Sequence, residues 1–222
     1  MAQASATSTP KRYALVTGAN KGIGFEVCRQ LASSGIFVLL TARDEKRGLE
    51  AVQKLKDCGI SDDLLGFHQL DVVDPHSVAS LAEFVKAQYG KLDILFVPLG
   101  WFKFTRERPE NHLSEERVDE VGKQFLKDFR EGLLETKGWP LQVSAYIVAK
   151  ACMNAYTRIL AKTHPSFRVN AISPGFCKTD ITNNLGPLTA AQGAEYVVRL
   201  ALLPKDGPSG CFFNMTKELP SF

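Results

Sequence analysis

The stretch Tyr13–Gly24 reads Y-A-L-V-T-G-A-N-K-G-I-G, and few folds can accommodate it. Tyr13-Ala14-Leu15-Val16 is an apolar run of the kind that forms a buried parallel strand. Phe25, Val27, Cys28 and Leu31 then recur at helical spacing. A glycine-rich turn between strand and helix is suited to hold a phosphate. Gly18 permits a tight turn. Gly22 lets a pyrophosphate approach the backbone at the helix N-terminus, where free N–H groups and the helix dipole attract anions. Gly24 allows the helix to pack closely on the strand.

The chain has 222 residues, 45% hydrophobic and 23% charged, as expected of a globular domain with a real core. A net charge of +3 is too small to point to nucleic acid or a membrane surface. No apolar run approaches the length of a membrane span. Residues Met1–Pro10 are small and polar and read as a disordered tail, leaving 11–222 as one domain. Cys28, Cys58, Cys152, Cys177 and Cys211 show no C-x-x-C spacing and no histidine partners, which argues against a metal site. Their scatter fits a reduced, cytoplasmic compartment.

Ile36–Leu40 is a second strand ending at Thr41-Ala42-Arg43, where a dinucleotide's adenosine ribose is read. Arg43, followed by Asp44, stands where an acidic residue would favour NAD. With Lys21 of the glycine turn it suits a 2′-phosphate, which a guanidinium can grip bidentately, and this favours NADP(H). Helix capping or simple solvation of the two cations is the alternative.

A helical pattern runs from Glu45 to about Cys58 with Leu49, Val52 and Leu55 inward. Leu64–Leu70 is a third strand. A helix over Pro75–Tyr89 turns Val78, Leu81, Phe84 and Val85 to a sheet, with Asp71 or Asp74 at its start. Leu92–Val97 is a fourth strand. Alternating strands and helices predict an α/β fold with a doubly wound, Rossmann-like parallel sheet.

Between Val97 and Tyr146 no further strand is legible. A charged, proline-containing stretch, Lys103–Glu110, leads to an amphipathic helix over about Ser114–Lys137. Its apolar stripe is Val118, Val121, Phe125, Leu126, Phe129 and Leu133. Tyr146 and Lys150, four apart, share one face of the next helix, with Ser144 as its N-cap. Phe167–Ser173 is a strand that ends in Pro174-Gly175. Thr189–Leu203 is a last helix, Pro208–Phe213 a final strand, and His112 and His164 are solvated.

The T-G-x-x-x-G-x-G spacing, with Tyr146-x-x-x-Lys150 and Pro174-Gly175 downstream, resembles the short-chain dehydrogenase/reductase family. The run from Ser114 through Trp139-Pro140 resembles its branch of plant menthone/neomenthol and salutaridine reductases, related to animal carbonyl reductases. The resemblance implies an oxidoreductase that interconverts a small terpenoid- or alkaloid-like ketone and a secondary alcohol with NADP. Tyr146 would be the acid/base and Lys150 its electrostatic partner, lowering the phenol pKa. It further implies that Thr17, Gly18, Asn20, Lys21, Gly22, Ile23 and Gly24 hold the cofactor phosphates. Asp71 and Val72 would meet the adenine, and Tyr146, Lys150, Pro174, Gly175 and Thr179 the nicotinamide half. In that branch the inserted helix covers the surface other members use to oligomerise, which implies a monomer.

The chain departs from the family in its centre. The fourth strand should end in Asn-Asn-Ala-Gly and a fifth should carry a catalytic serine; Val97-Pro98-Leu99-Gly100 aligns with either and supplies neither side chain. The pattern is that of an internal deletion, natural or from splicing, that removes one central strand-helix unit. The fourth strand must then pair with the sixth or leave an open edge. A non-catalytic dinucleotide-binding relative and an unstable truncated product are the rival readings.

Overall fold

A computed structural model describes residues 10–97 and 113–219 of the chain. The predicted N-terminal tail, the junction at Pro98–Gly100, the stretch Lys103–Glu110 and His112 lie outside these residues, apart from Pro10. Contacts gather the chain into two units: 10–97 with 177–201, and 113–176 with 202–219.

In the first unit, strands β1 (Tyr13–Val16), β2 (Phe37–Ala42), β3 (Leu65–Gln69) and β4 (Ile94–Phe96) form a parallel sheet in the order β3-β2-β1-β4. Helices α1 (Gly22–Ser33), α2 (Glu45–Asp57) and α3 (Pro75–Tyr89) connect them. All six residues of β2 are buried, as a central strand covered on both faces requires. One face carries Leu15, Phe37 and Leu39 against Leu81 and Val85 of α3. At its rim Tyr13 stacks on Tyr89 with ring centroids 4.9 Å apart. Within the first unit β4 pairs with β1.

The capping positions are those the sequence allows. Asp44 accepts from Arg47 N at the start of α2, and Asp74 from His76 N at the start of α3, with Pro75 in the first turn. Two inward assignments are corrected. Leu49 is 52% exposed and Val78 45%. On α2 the buried face is Gly48, Ala51 and Leu55, because Gly48 meets the Phe67 ring where a larger side chain could not fit.

The second unit contains α4 (Glu115–Arg130), α5 (Ser144–Thr163) and a sheet of β5 (Ala171–Ser173), β6 (Phe212–Asn214) and β7 (Lys217–Leu219). β5 and β6 are parallel; β7 returns antiparallel to β6 and has no counterpart in the sequence reading. α4 ends earlier than Lys137. Gly132 takes φ +71°, its N–H bonds Phe129 O and Leu133 N bonds Asp128 O, the Schellman closure of a helix. Buried Asp128 then accepts from Trp139 Nε1 and Gln124 Nε2, each at 2.8 Å, which folds the following turn back onto α4. These two donors hold its carboxyl below the usual range. Phe125 is buried as expected, but Leu126 and Phe129 are half exposed.

The last helix, α6 (Ala190–Ala201), belongs to the first unit and packs on α1, where Gln30 Nε2 donates to Ala191 O at 2.9 Å.

Candidate active site

In the first unit the glycine turn follows β1 directly. Gly18 and Gly22 take φ +59° and +60°, so both need the left-handed region that favours glycine. The turn is fastened at both ends. Thr17 N donates to Phe96 O at 3.0 Å, and Ala19 N to Thr41 O at 2.9 Å. Buried Thr41 donates its hydroxyl to Val16 O. A Cβ on Gly24 would lie 3.0 Å from Gly18 O and 3.1 Å from Ala19 Cα, so this glycine is where the helix backbone meets the turn. Lys21 is the extended residue before α1, so the helix begins at Gly22 with amide N–H groups free of helical partners. Thr17 is buried, and Asn20 and Ile23 are half-buried beside this opening.

The two cations assigned to a 2′-phosphate differ in their surroundings. The Arg43 side chain is exposed at the end of β2, and its carbonyl accepts from Gln69 Nε2 at 3.1 Å. Lys21 Nζ lies 2.6 Å from Asp180 Oδ2. Asp71 closes its own turn, Oδ1 accepting from Val73 N at 3.1 Å, while its N–H donates to Ser77 Oγ. Val72 is 60% exposed.

Thr179 also falls in this unit. It opens a single 3-10 turn, Asp180–Thr182, in which Thr179 N donates to Thr182 Oγ1. Its methyl carbon lies 3.5 Å from where a Cβ on Gly22 would stand. Asp180 and Thr182 were missed from sequence. The T-x-x-T spacing of a capping box over 179–182 was the signal that could have found them.

In the second unit Tyr146 and Lys150 lie one turn apart on α5, both half-buried, with Lys150 Nζ 5.3 Å from the centroid of the Tyr146 ring. Burial pushes the Tyr146 phenol up to about 12 and the Lys150 ammonium down. The phenol is thus displaced upward, opposite to the direction expected from a neighbouring ammonium. Desolvation outweighs a cation that sits over the ring face. Ser144 is not the N-cap. Val143 holds that position at φ +45° without a side-chain cap, and Ser144 is the buried first residue of the helix. A β-branched residue in the left-handed region stores roughly 1–3 kcal/mol of strain. β5 delivers Pro174 and Gly175, the latter at φ +88°. Ser173 Oγ, buried at its end, has no hydrogen-bond partner among the described residues.

Comparison with known proteins points to one family. The model described as short chain dehydrogenase matches residues 12–125, and that described as enoyl-(acyl carrier protein) reductase matches residues 133–207. The chain is 44% identical to a (+)-neomenthol dehydrogenase of Arabidopsis thaliana over 298 aligned positions, covering 98% of this chain and all of that protein. It is 34% identical to a mouse (Mus musculus) carbonyl reductase [NADPH] 3, with 90% and 94% covered. The solved structure of salutaridine reductase from Papaver somniferum superposes with a TM-score of 0.83 at 37% identity, covering 92% of this chain and 99% of that one. Since 222 residues span a 298-position alignment matched at both ends, at least 76 internal positions of the neomenthol dehydrogenase have no counterpart here.

Proposed function

The chain belongs to the short-chain dehydrogenase/reductase family, and from that premise we propose that it interconverts a small ketone and a secondary alcohol with NADP(H), residues 11–222 acting as one domain. The observation that carries this reading is the Tyr146–Lys150 pair held on one face of α5. A terpenoid- or alkaloid-like carbonyl is the substrate class, by likeness to the named relatives. No helix among the described residues is long and apolar enough to cross a membrane, in keeping with a small soluble substrate.

The residues of the first unit fit a dinucleotide. At Gly24 the helix lies too close to the turn backbone for any Cβ, and Gly18 and Gly22 are held in glycine-favoring conformations. Thr17, Gly18, Asn20, Lys21, Gly22, Ile23 and Gly24 would hold the pyrophosphate with backbone N–H groups at the α1 N-terminus. Arg43, together with the Lys21 ammonium, would grip a 2′-phosphate. Asp71 and Val72 would border the adenine, and Thr179 lies over the turn. In the second unit Lys150 would bond the nicotinamide ribose, and Pro174 and Gly175 would line the ring. When bound, NADPH supplies the hydride.

Tyr146 performs the proton step. With its phenol pushed up to about 12, the hydroxyl stays protonated at neutral pH and can donate to the alkoxide that forms as a ketone is reduced. Lys150 supplies positive charge beside the phenolate left behind.

A second reading is favoured by the missing internal positions: a dinucleotide-binding relative without turnover. Titration of the purified protein with NADPH, followed by a ketone screen on wild type and Tyr146→Phe, separates the two. Binding with NADPH oxidation that Tyr146→Phe abolishes supports the enzyme. Binding without oxidation of NADPH supports the relative, and absence of binding refutes both.

A further inference from the structure

Lys21 has a partner that its role toward a phosphate leaves out. Its ammonium meets Asp180 Oδ2 at 2.6 Å, from a residue 159 positions away in sequence. Asp180 is carried by a turn with little freedom to swing aside. Thr182 Oγ1 lies 2.6 Å from Cys177 O and 2.9 Å from Thr179 O. Thr182 N and Asn184 N both donate to Thr179 O, and Asn183 N to Asp180 O. Asn183 and Asn184 close the turn at φ +49° and +59°. The Thr179 methyl rests over Gly22. The turn that carries this carboxylate is therefore held at the mouth of the glycine turn. The ion pair itself is mostly exposed, with side chains 60% and 66% accessible, so another anion can displace Asp180 from Lys21 at small cost. Arg43, at the end of β2, has no carboxylate partner among the described residues.

We propose that Asp180 is a specificity-determining residue that competes with the cofactor 2′-phosphate for Lys21, an inference that rests on the NADP(H) reading above. Asp180 acts through Lys21 and touches no reacting atom, so it is a positioning residue. By neutralising one of the two cations it narrows the preference for NADPH over NADH, which lacks the 2′-phosphate. Arg43 alone then sustains the remaining preference.

The test is fluorescence titration with NADPH and with NADH on wild type, Asp180→Asn, Asp180→Glu and Lys21→Met. Asp180→Asn is expected to tighten NADPH about two- to fivefold, the range that an exposed ion pair carries. NADH affinity stays unchanged, and Asp180→Glu restores the wild-type ratio. In the Lys21→Met background Asp180→Asn has no effect on the ratio. Binding with an NADPH/NADH ratio that Asp180→Asn does not raise overturns the inference and leaves the cofactor reading standing. Equal weakening of both cofactors also overturns it, since that marks Asp180 as a prop for the loop. Failure of wild type to bind either cofactor overturns the cofactor reading and this inference with it.

Discussion

Two glycines that look alike in sequence should respond to alanine with opposite signs. Gly48 lies within α2 and Gly122 within α4, and in either helix an alanine gains about 1 kcal/mol of intrinsic propensity. At Gly122 a Cβ meets nothing within 4 Å, so that gain is realised in full. At Gly48 the new Cβ would lie 2.0 Å from Phe67 Cε2 and 2.5 Å from Cζ. Non-bonded carbons rest at about 3.5–4.0 Å, so the ring must retreat by more than an ångström into a packed sheet face. Overpacking costs about 1–3 kcal/mol, and a Cβ 2.0 Å from a ring carbon belongs in the upper part of that range, about 2–3 kcal/mol, which leaves Gly48→Ala about 1–2 kcal/mol less stable than wild type after the propensity gain is subtracted. For a chain of this length each kcal/mol corresponds to about 2–4 °C. Thermal unfolding followed by circular dichroism should place Gly122→Ala above wild type and Gly48→Ala below it. A Gly48→Ala variant as stable as wild type would refute the packing account, and a destabilised Gly122→Ala would show that its open face is covered in solution.

Gly24→Ala should weaken NADPH about tenfold, since backbone on two sides of the new Cβ forces the turn open at a cost of roughly 1–2 kcal/mol; an unchanged titration would count against the turn as the phosphate site. Burial raises the Cys28 thiol well above its ordinary value. Its proton is therefore held in the folded state after the unfolded chain has released it, and the stability it confers is full below about pH 9 and declines above, at about 1.4 kcal/mol per unit. Denaturant titrations at about pH 9 and 10.5 should show Cys28→Ala losing roughly 2 kcal/mol less than wild type over that interval, and parallel losses would contradict the assignment. Ketone reduction should not fall with pH through titration of Tyr146 between pH 6 and 9, because its hydroxyl stays protonated well above that range. A decline with an apparent pKa below 9, matched by a phenolate absorbance change that Tyr146→Phe removes, would refute the raised phenol.

Local chemistry explains why so much of the first unit could be read from sequence. The bounds of α3 are those expected, because Asp74, Pro75 and Gly90 are start and stop signals acting within one turn. The glycine turn is likewise determined by residues that only that conformation tolerates. The α4 stop was legible too, in Gly132, but the apolar period running on to Leu133 concealed it. Leu49 was misplaced because periodicity gives the apolar stripe of a helix without saying which edge of it meets the sheet. That edge is decided by Gly48 against Phe67, a contact between separate elements. β7 has no apolar run, and its Lys217 and Glu218 are exposed, so its pairing with β6 had to come from the fold.

Sequence by itself determined the family, the glycine turn and the Tyr146–Lys150 spacing, since each depends on residues a few positions apart. Tertiary structure alone decided what stands around them. It placed Asp180 on Lys21 across the chain, and pushed the Tyr146 phenol up where its spacing from a lysine suggested down. These are effects of desolvation and of charges brought together by folding, and they depend on the distances and burial that three-dimensional packing creates.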